Sequence, residues 1–465
     1  MSVLIRGGRI ITASEDYFAD IFIDGEEIAL IADSLDVVAD QVIDATGKYV
    51  IPGAIDPHTH IELPFGGTTT CDDFTSATVA AAFGGTTSVV DFCFQMPGQS
   101  FRSALDTWYE KVDRCKPVID VGFHMAITDL YDGGTLADLA KVPDEGVTSY
   151  KVFMAYKGAV MVDDETLFKT CRVAAETGAQ VMVHAENGDV IDVLVKEAIA
   201  AGKTEPKWHA ATRPAITEGE ATGRAIQIAH LAEAPLYVVH VSCKESIEPI
   251  ARARQQGWAV MGETCPQYLF IDETMLDQPF AEAAKYIYTP PPRAKENQEP
   301  LWDALGSDVL SIVSTDHCPF RIKDQKTLGK DDFSKIPNGG PGIENRMHLL
   351  HHFGVNAGRF SMSRLVEMTS TNVAKQFGLY PKKGTVAVGS DADLVLWDPL
   401  KEVTISAATH HSNIDYNLYE GTDVTGAPTT VLVRGKVVID GDSLVAKPGH
   451  GQFLKRARFG QELTR

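Results

Sequence analysis

The chain's 465 residues leave room for one large enzyme domain with an accessory domain, or for two or three ordinary ones. A composition of 44% hydrophobic and 23% charged residues excludes a disordered or fibrous chain. With 63 acidic against 42 basic residues, the formal charge of -21 sets nucleic acid and anionic membrane surfaces aside as partners.

The N-terminus "MSVLIRGGRI" lacks an apolar signal core, and no run approaches the roughly 18 apolar residues of a membrane span. Seven cysteines without CxxC spacing give no disulfide framework, so a soluble, cytoplasmic protein is predicted. Residues 1 to about 51 alternate apolar and polar in short runs, as in "ADIFIDGEEIALIAD", and read as hairpins. The texture returns in "GSDADLVLWDP" and "TTVLVRGKVVIDGDSLV", and "VLIRGGRII" at 3–11 looks like "VLVRGKVVI" at 431–439. A lone hairpin is barely stable in water, so the ends are expected to share one β-domain, residues 1–52 with 386–455, before a tail at 456–465.

Between them, over 53–385, short apolar runs alternate with longer helical segments, the pattern of a parallel sheet. Eight strands are predicted, at 53–60, 86–92, 120–128, 147–154, 179–186, 234–242, 258–265 and 309–317. That count predicts an α/β fold, a (β/α)8 TIM-like barrel, with a doubly wound open sheet as the alternative.

"HTH" puts His58 and His60 at i and i+2, on one side of a strand, where both can reach one metal ion. His184 in "VMVHAEN" and His240 in "YVVHVS" close apolar runs; either alone would read as a hydrogen-bonded core histidine. Asp316 in "VSTDHCPF" ends the eighth strand, where a buried carboxylate needs a cation or several donors. In a barrel these strand ends converge on one face, the face that carries active sites.

Lys151 sits in the middle of the apolar strand "VTSYKVFM". An unpartnered buried ammonium is costly, so either the stem snorkels outward or the amine is neutral. A neutral amine reacts with carbon dioxide to give a carbamate, whose two oxygens can bridge two metal ions. Two divalent ions carry about +4; a carbamate, Asp316 and a hydroxide bring the site to roughly +1, whereas a protonated lysine leaves it near +3, which low dielectric penalises.

Together "PGAIDPHTH", "TSYKVFMAY", "VMVHAENGD", "YVVHVSCKES", "ETCPQYLF", "YIYTPPPRAK", "STDHCPF" and "IPNGGPGIE" resemble the hydantoinase and dihydropyrimidinase branch of the cyclic amidohydrolases, over nearly the whole chain. The resemblance implies a barrel plus a β-sandwich built from both chain ends, assembled as a homotetramer or a homodimer. It implies two divalent ions per subunit, zinc or else manganese, cobalt or nickel, bridged by Lys151 as N6-carboxylysine. His58, His60 and Asp316 would hold the first ion, His184 and His240 the second. Asp316 would move the proton, and Tyr156 would stabilise the oxyanion. The backbones around Thr289 and Asn338 would meet the ring's imide face; many relatives carry serine where this chain has Thr289. Leu63, Phe65 and Phe153, with Tyr156, are candidates for an apolar pocket around the ring substituent. The implied reaction is hydrolytic opening of cyclic amides and imides, namely 5-substituted hydantoins, with D selectivity, and dihydropyrimidines.

Dihydroorotases would carry an arginine soon after HxH; here Ile61 and Glu62 follow, and Glu62 is expected to repel a substrate carboxylate. Allantoinases share the metal pattern, but apolar residues at 63, 65 and 153 favour hydrogen, alkyl or aryl substituents. A non-catalytic scaffold of the same fold would have lost metal ligands, and all six positions are retained. His317 and Cys318 adjoin Asp316, but neighbours on a strand face opposite ways, which argues against a Cys-His dyad. The charged, glycine-containing segment 321–341 is expected to be either a partial lid or solvated surface.

Overall fold

Eight strands pair side by side in chain order, all parallel: β1 (Ala54–Thr59), β2 (Thr86–Phe94), β3 (Asp120–Ala126), β4 (Ser149–Phe153), β5 (Gln180–His184), β6 (Leu236–Val238), β7 (Val260–Thr264) and β8 (Ile312–Val313). This computed structural model describes residues 1–130 and 132–461. A parallel bridge between Thr59 and His317, with His60 N–H donating to His317 O at 2.8 Å, joins the last strand's extension to the first. The sheet is thus a TIM-like barrel, and nearly every residue along its strands is buried, the reason they read as unbroken apolar runs. β6 and β8 are shorter than predicted because the chain leaves the ladder ahead of His240 and Asp316, which turn through φ of +40° and +50°.

Strands from both chain ends form a second, mainly antiparallel sheet of nine strands. Tyr49–Pro52 joins the two ends by pairing antiparallel with Leu394–Thr404. Ser2–Ile11 pairs with Gln41–Asp44 along its first half and with Tyr49–Pro52 near its end, so the sheet forks there. Val3, Ile5, Ile21, Val50, Leu394 and Leu432 give it a core of its own. The look-alike segments are used differently. Residues 3–11 lie in one strand with a bulge between Ile5 and Gly8, whereas 431–439 turn at Arg434 and Gly435 into a hairpin.

The predicted tail is bound chain where it is described. Arg456 N–H donates to Gly146 O at 3.0 Å, Ala457 N–H to Gly378 O at 2.9 Å and Phe459 N–H to Gly178 O at 2.7 Å; residues 462–465 lie outside the described residues. Segment 321–341 is part surface and part interior: Lys323, Asp324, Thr327, Lys330 and Asp331 are exposed, while two 3-10 turns, Lys326–Gly329 and Phe333–Lys335, accompany buried Gln325, Lys326, Phe333 and Ile336.

Buried charges join barrel and sheet. Lys383 Nζ lies 2.8 Å from Asp120 Oδ2 on β3, 3.2 Å from Asp391 Oδ2 and 2.6 Å from Asp393 Oδ2, and Arg434 pairs with Asp120 as well. Burial disfavours the Lys383 charge, but the three carboxylates outweigh it and hold the ammonium above its usual range. Removing one member leaves the others buried and unpaired, at a cost of about 3–5 kcal/mol. Lys383→Met is therefore expected to lower the thermal midpoint measured by calorimetry; an unchanged midpoint would show that the network does not hold the two parts together.

Candidate metal centre and active site

At the C-terminal ends of the barrel strands, His58, His60, Lys151, His184, His240 and Asp316 line one cavity together with Leu63, Phe65, Phe153, Tyr156, Thr289 and Asn338. All twelve residues that the resemblance assigns to the site face the same space. Phe94, Val160, Cys318 and Gly339 complete the wall; sequence reasoning did not find them.

Asp316 Oδ1 is 3.1 Å from both His58 Nε2 and His60 Nε2, and one ligand atom from each of the three lies within 4.8 Å of the others. His184 Nδ1 and His240 Nε2 are 2.9 Å apart. Burial pushes the Asp316 carboxyl up, but His58 and His60 outweigh it and hold the group well below the ordinary range, so it is anionic. Lys151 Nζ is buried without a hydrogen-bond partner among the described residues, 4.6 Å from the Phe92 ring centroid and 4.9 Å from that of Phe153. Burial lowers its pKa to about 8, which brings the neutral amine within reach at ordinary pH. Imidazole nitrogens, one carboxylate and an orphaned amine form a donor set suited to first-row divalent ions. The other acidic cluster, Asp120, Asp391 and Asp393, already encloses the Lys383 ammonium, so the chain itself fills that cation position.

Buried carboxylates orient two of the four histidines. His58 Nδ1 bonds Glu263, whose second oxygen accepts from Tyr237 OH at 2.7 Å. His184 Nε2 bonds Glu186 at 2.9 Å, and Arg213 braces that carboxylate at 3.3 Å. Such partners decide which ring nitrogen faces the cavity. The sequence did not single out Glu263 or Glu186; a glutamate two residues after a histidine was the only available signal for Glu186.

Tyr156, like His240 and Asp316, has a left-handed backbone, with φ of +67°. Such conformations in non-glycine residues cost about 1–3 kcal/mol each and persist only where the surroundings over-determine them. Burial keeps the Tyr156 phenol protonated by pushing its pKa up. A short hairpin, Pro64–Phe65 with Thr68–Thr69, turns through Gly66 and Gly67 at φ of +61° and +80°, a turn that needs positive φ at both positions. It brings the Phe65 ring edge-on to Tyr156, centroids 5.4 Å apart.

One expectation changes, that for Glu62, and one holds, the absence of a His317–Cys318 dyad. Glu62, at φ +49°, turns out to pair with Arg114, and its carbonyl accepts from Lys111 Nζ at 2.9 Å; it does not line the cavity and repels nothing there. His317 faces away, with Nε2 3.0 Å from Asp72 Oδ2, while Cys318 faces in, so the two form no dyad.

The family model described as "Amidohydrolase family" matches residues 49–438. The D-hydantoinase of Geobacillus stearothermophilus is 53% identical over 461 residues, 99% of this chain and 98% of that protein. The D-hydantoinase of Streptomyces coelicolor is 50% identical over 98% of each. The crystal structure of dihydropyrimidinase from Brevibacillus agri NCHU1002 superposes with a TM-score of 0.97 at 54% identity, covering 99% of this chain and 100% of that one. On that full-length likeness the chain belongs to the amidohydrolase family, in its hydantoinase and dihydropyrimidinase branch.

Proposed function

We propose that the protein opens cyclic amides and imides by hydrolysis, taking 5-substituted hydantoins, with D preference, to N-carbamoyl amino acids and dihydropyrimidines to N-carbamoyl-β-amino acids. The observation that carries this reading is the unpartnered Lys151 amine, buried in one cavity with four histidines and Asp316 beneath an apolar wall. The choice of rings and the D preference follow the relatives named D-hydantoinase and dihydropyrimidinase.

His58, His60 and Asp316 would hold one divalent ion, His184 and His240 a second, with Lys151 as the N6-carboxylated bridge. Zinc, manganese, cobalt and nickel all suit these donors. When bound, the ions supply Lewis acidity and bring the pKa of a water toward about 7. Asp316 accepts the attacking water's proton on its carboxylate and delivers it to the ring nitrogen that leaves. Tyr156 donates its hydroxyl hydrogen to the carbonyl oxygen as negative charge develops there. The backbones at Thr289 and Asn338 orient the ring through its imide face, and Leu63, Phe65 and Phe153 exclude water around the substituent. No arginine lines the cavity among the described residues, which favours uncharged substituents over a carboxylate. The reading takes the enzyme to be a cytoplasmic homotetramer; among the described residues no helix is long and apolar enough to cross a membrane.

Elemental analysis is expected to find about two ions per chain, alongside ring opening of 5-phenylhydantoin or dihydrouracil. Hydrolysis of allantoin alone would move the substrate to a ureido-substituted ring, and a metal-free, inactive protein would overturn the proposal. Lys151→Ala is expected to lose both the second ion and turnover. Asp316→Asn should reduce kcat by about 10²–10⁴-fold in steady-state assays. Tyr156→Phe should reduce it by about 10²–10³-fold with metal content unchanged; a fall in metal content would mean that the phenol supports the metal site.

A further inference from the structure

Two neighbours in the segment expected to be lid or surface anchor both substrate-facing walls of the cavity. We propose that Gln325 and Lys326 are positioning residues with separate tasks. Gln325 holds the hairpin that carries the apolar wall, Lys326 holds the backbone that faces the ring, and substituent selectivity is thereby set apart from ring affinity. The assignment of walls to ring and substituent rests on the functional reading above.

Lys326 is completely buried, and its Nζ donates to Ile287 O at 2.6 Å and Gly339 O at 2.7 Å. No carboxylate pairs with it among the described residues, and burial lowers its pKa to about 7. Gly339 N–H also donates to Ile287 O, at 3.0 Å, so the amine closes a junction between two segments, one leading to Thr289 and one adjoining Asn338. The junction is tight. Gly339 has φ of +147°, and a Cβ there would lie 2.2 Å from Cys318 O, which requires glycine. An apolar side chain in place of Lys326 would fill the space without burying an amine but would leave two carbonyls without this donor.

Gln325 points the other way. Its Nε2 donates to Thr69 O at 2.5 Å and Thr68 Oγ1 at 3.0 Å, while its Oε1 accepts from Arg321 N–H at 2.8 Å. Thr68 and Thr69 are the return strand of the hairpin bearing Phe65, which belongs to neither large sheet. A two-stranded hairpin is marginal by itself, so an outside anchor decides how firmly Phe65 is held against the cavity. The hairpin tip abuts the Lys326-bound segment as well: a Cβ on Gly66 would lie 3.2 Å from Pro337 Cα. Two anchors one residue apart thus hold two walls that meet.

The full-length protein carrying Lys326→Met or Gln325→Met tests this by hydrogen exchange and kinetics. Lys326→Met is expected to raise amide exchange over 286–290 and 337–341 and to leave 63–70 unchanged; Gln325→Met should do the reverse. On hydantoin and 5-phenylhydantoin, Lys326→Met should raise KM for both by one common factor of about tenfold, with kcat within about threefold. Gln325→Met should leave hydantoin within about twofold and lower kcat/KM for 5-phenylhydantoin about tenfold. Exchange that rises in both regions with either variant, or one common kinetic factor for both variants on both rings, overturns the division of tasks. Should Lys326→Met fail to fold, Lys326→Gln, which keeps a shorter donor, carries the same comparison. Wild-type protein that opens neither of these rings nor dihydrouracil would refute the functional reading, while the exchange pattern still decides the anchors.

Discussion

A fully buried amine with no hydrogen-bond partner among the described residues, at the C-terminal end of a parallel barrel, is the constraint around which the site is organised. Aromatic faces from Phe92 and Phe153 cover Lys151 and keep water from stabilising its charge. The residues nearest in role answer to the same shortage of solvent. Asp316 spends one carboxylate oxygen on two histidines, and His184 and His240 meet nitrogen to nitrogen. Behind them Glu263 and Glu186 fix the imidazoles of His58 and His184 from the far side, so that their other nitrogens are left to bind a cation. A low dielectric makes each of these placements consequential, because a misplaced charge there has no water to fall back on.

The barrel was legible because strands buried on both faces read as apolar runs, and its site was legible because polar residues interrupt or end those runs. Lys151, His184, His240 and Asp316 all announce themselves in this way. The supporting shell was not legible for a related reason. Glu263 lies within β7 and is enclosed by Tyr237 and His58, a fact about three strands rather than one. Lys326 lies in a stretch so rich in charge that a buried amine looks like one more solvated lysine.

Among the described residues, Glu62 is the one position near the site whose side chain goes elsewhere than its place in the sequence suggests. Glu62 follows HxH closely enough to suggest a wall residue, yet its positive φ sends the side chain toward Arg114. At Asp316 the facing survives a φ of +50°: Asp316 and Cys318 face the cavity and His317 faces Asp72. The look-alike segments 3–11 and 431–439 do lie in one sheet, although the turn through Arg434 and Gly435 splits the second into two strands.

The pairing of Tyr49–Pro52 with Leu394–Thr404 also has a consequence in time. During synthesis the first strand emerges about 340 residues before its partner, an interval of roughly 17–70 s at about 5–20 residues per second. Throughout that interval the whole barrel is made while one edge of the N-terminal sheet stays open to other chains. The ribosome therefore sets the order in which the molecule closes, and the nascent protein is most exposed to edge-to-edge association just before its last strands appear.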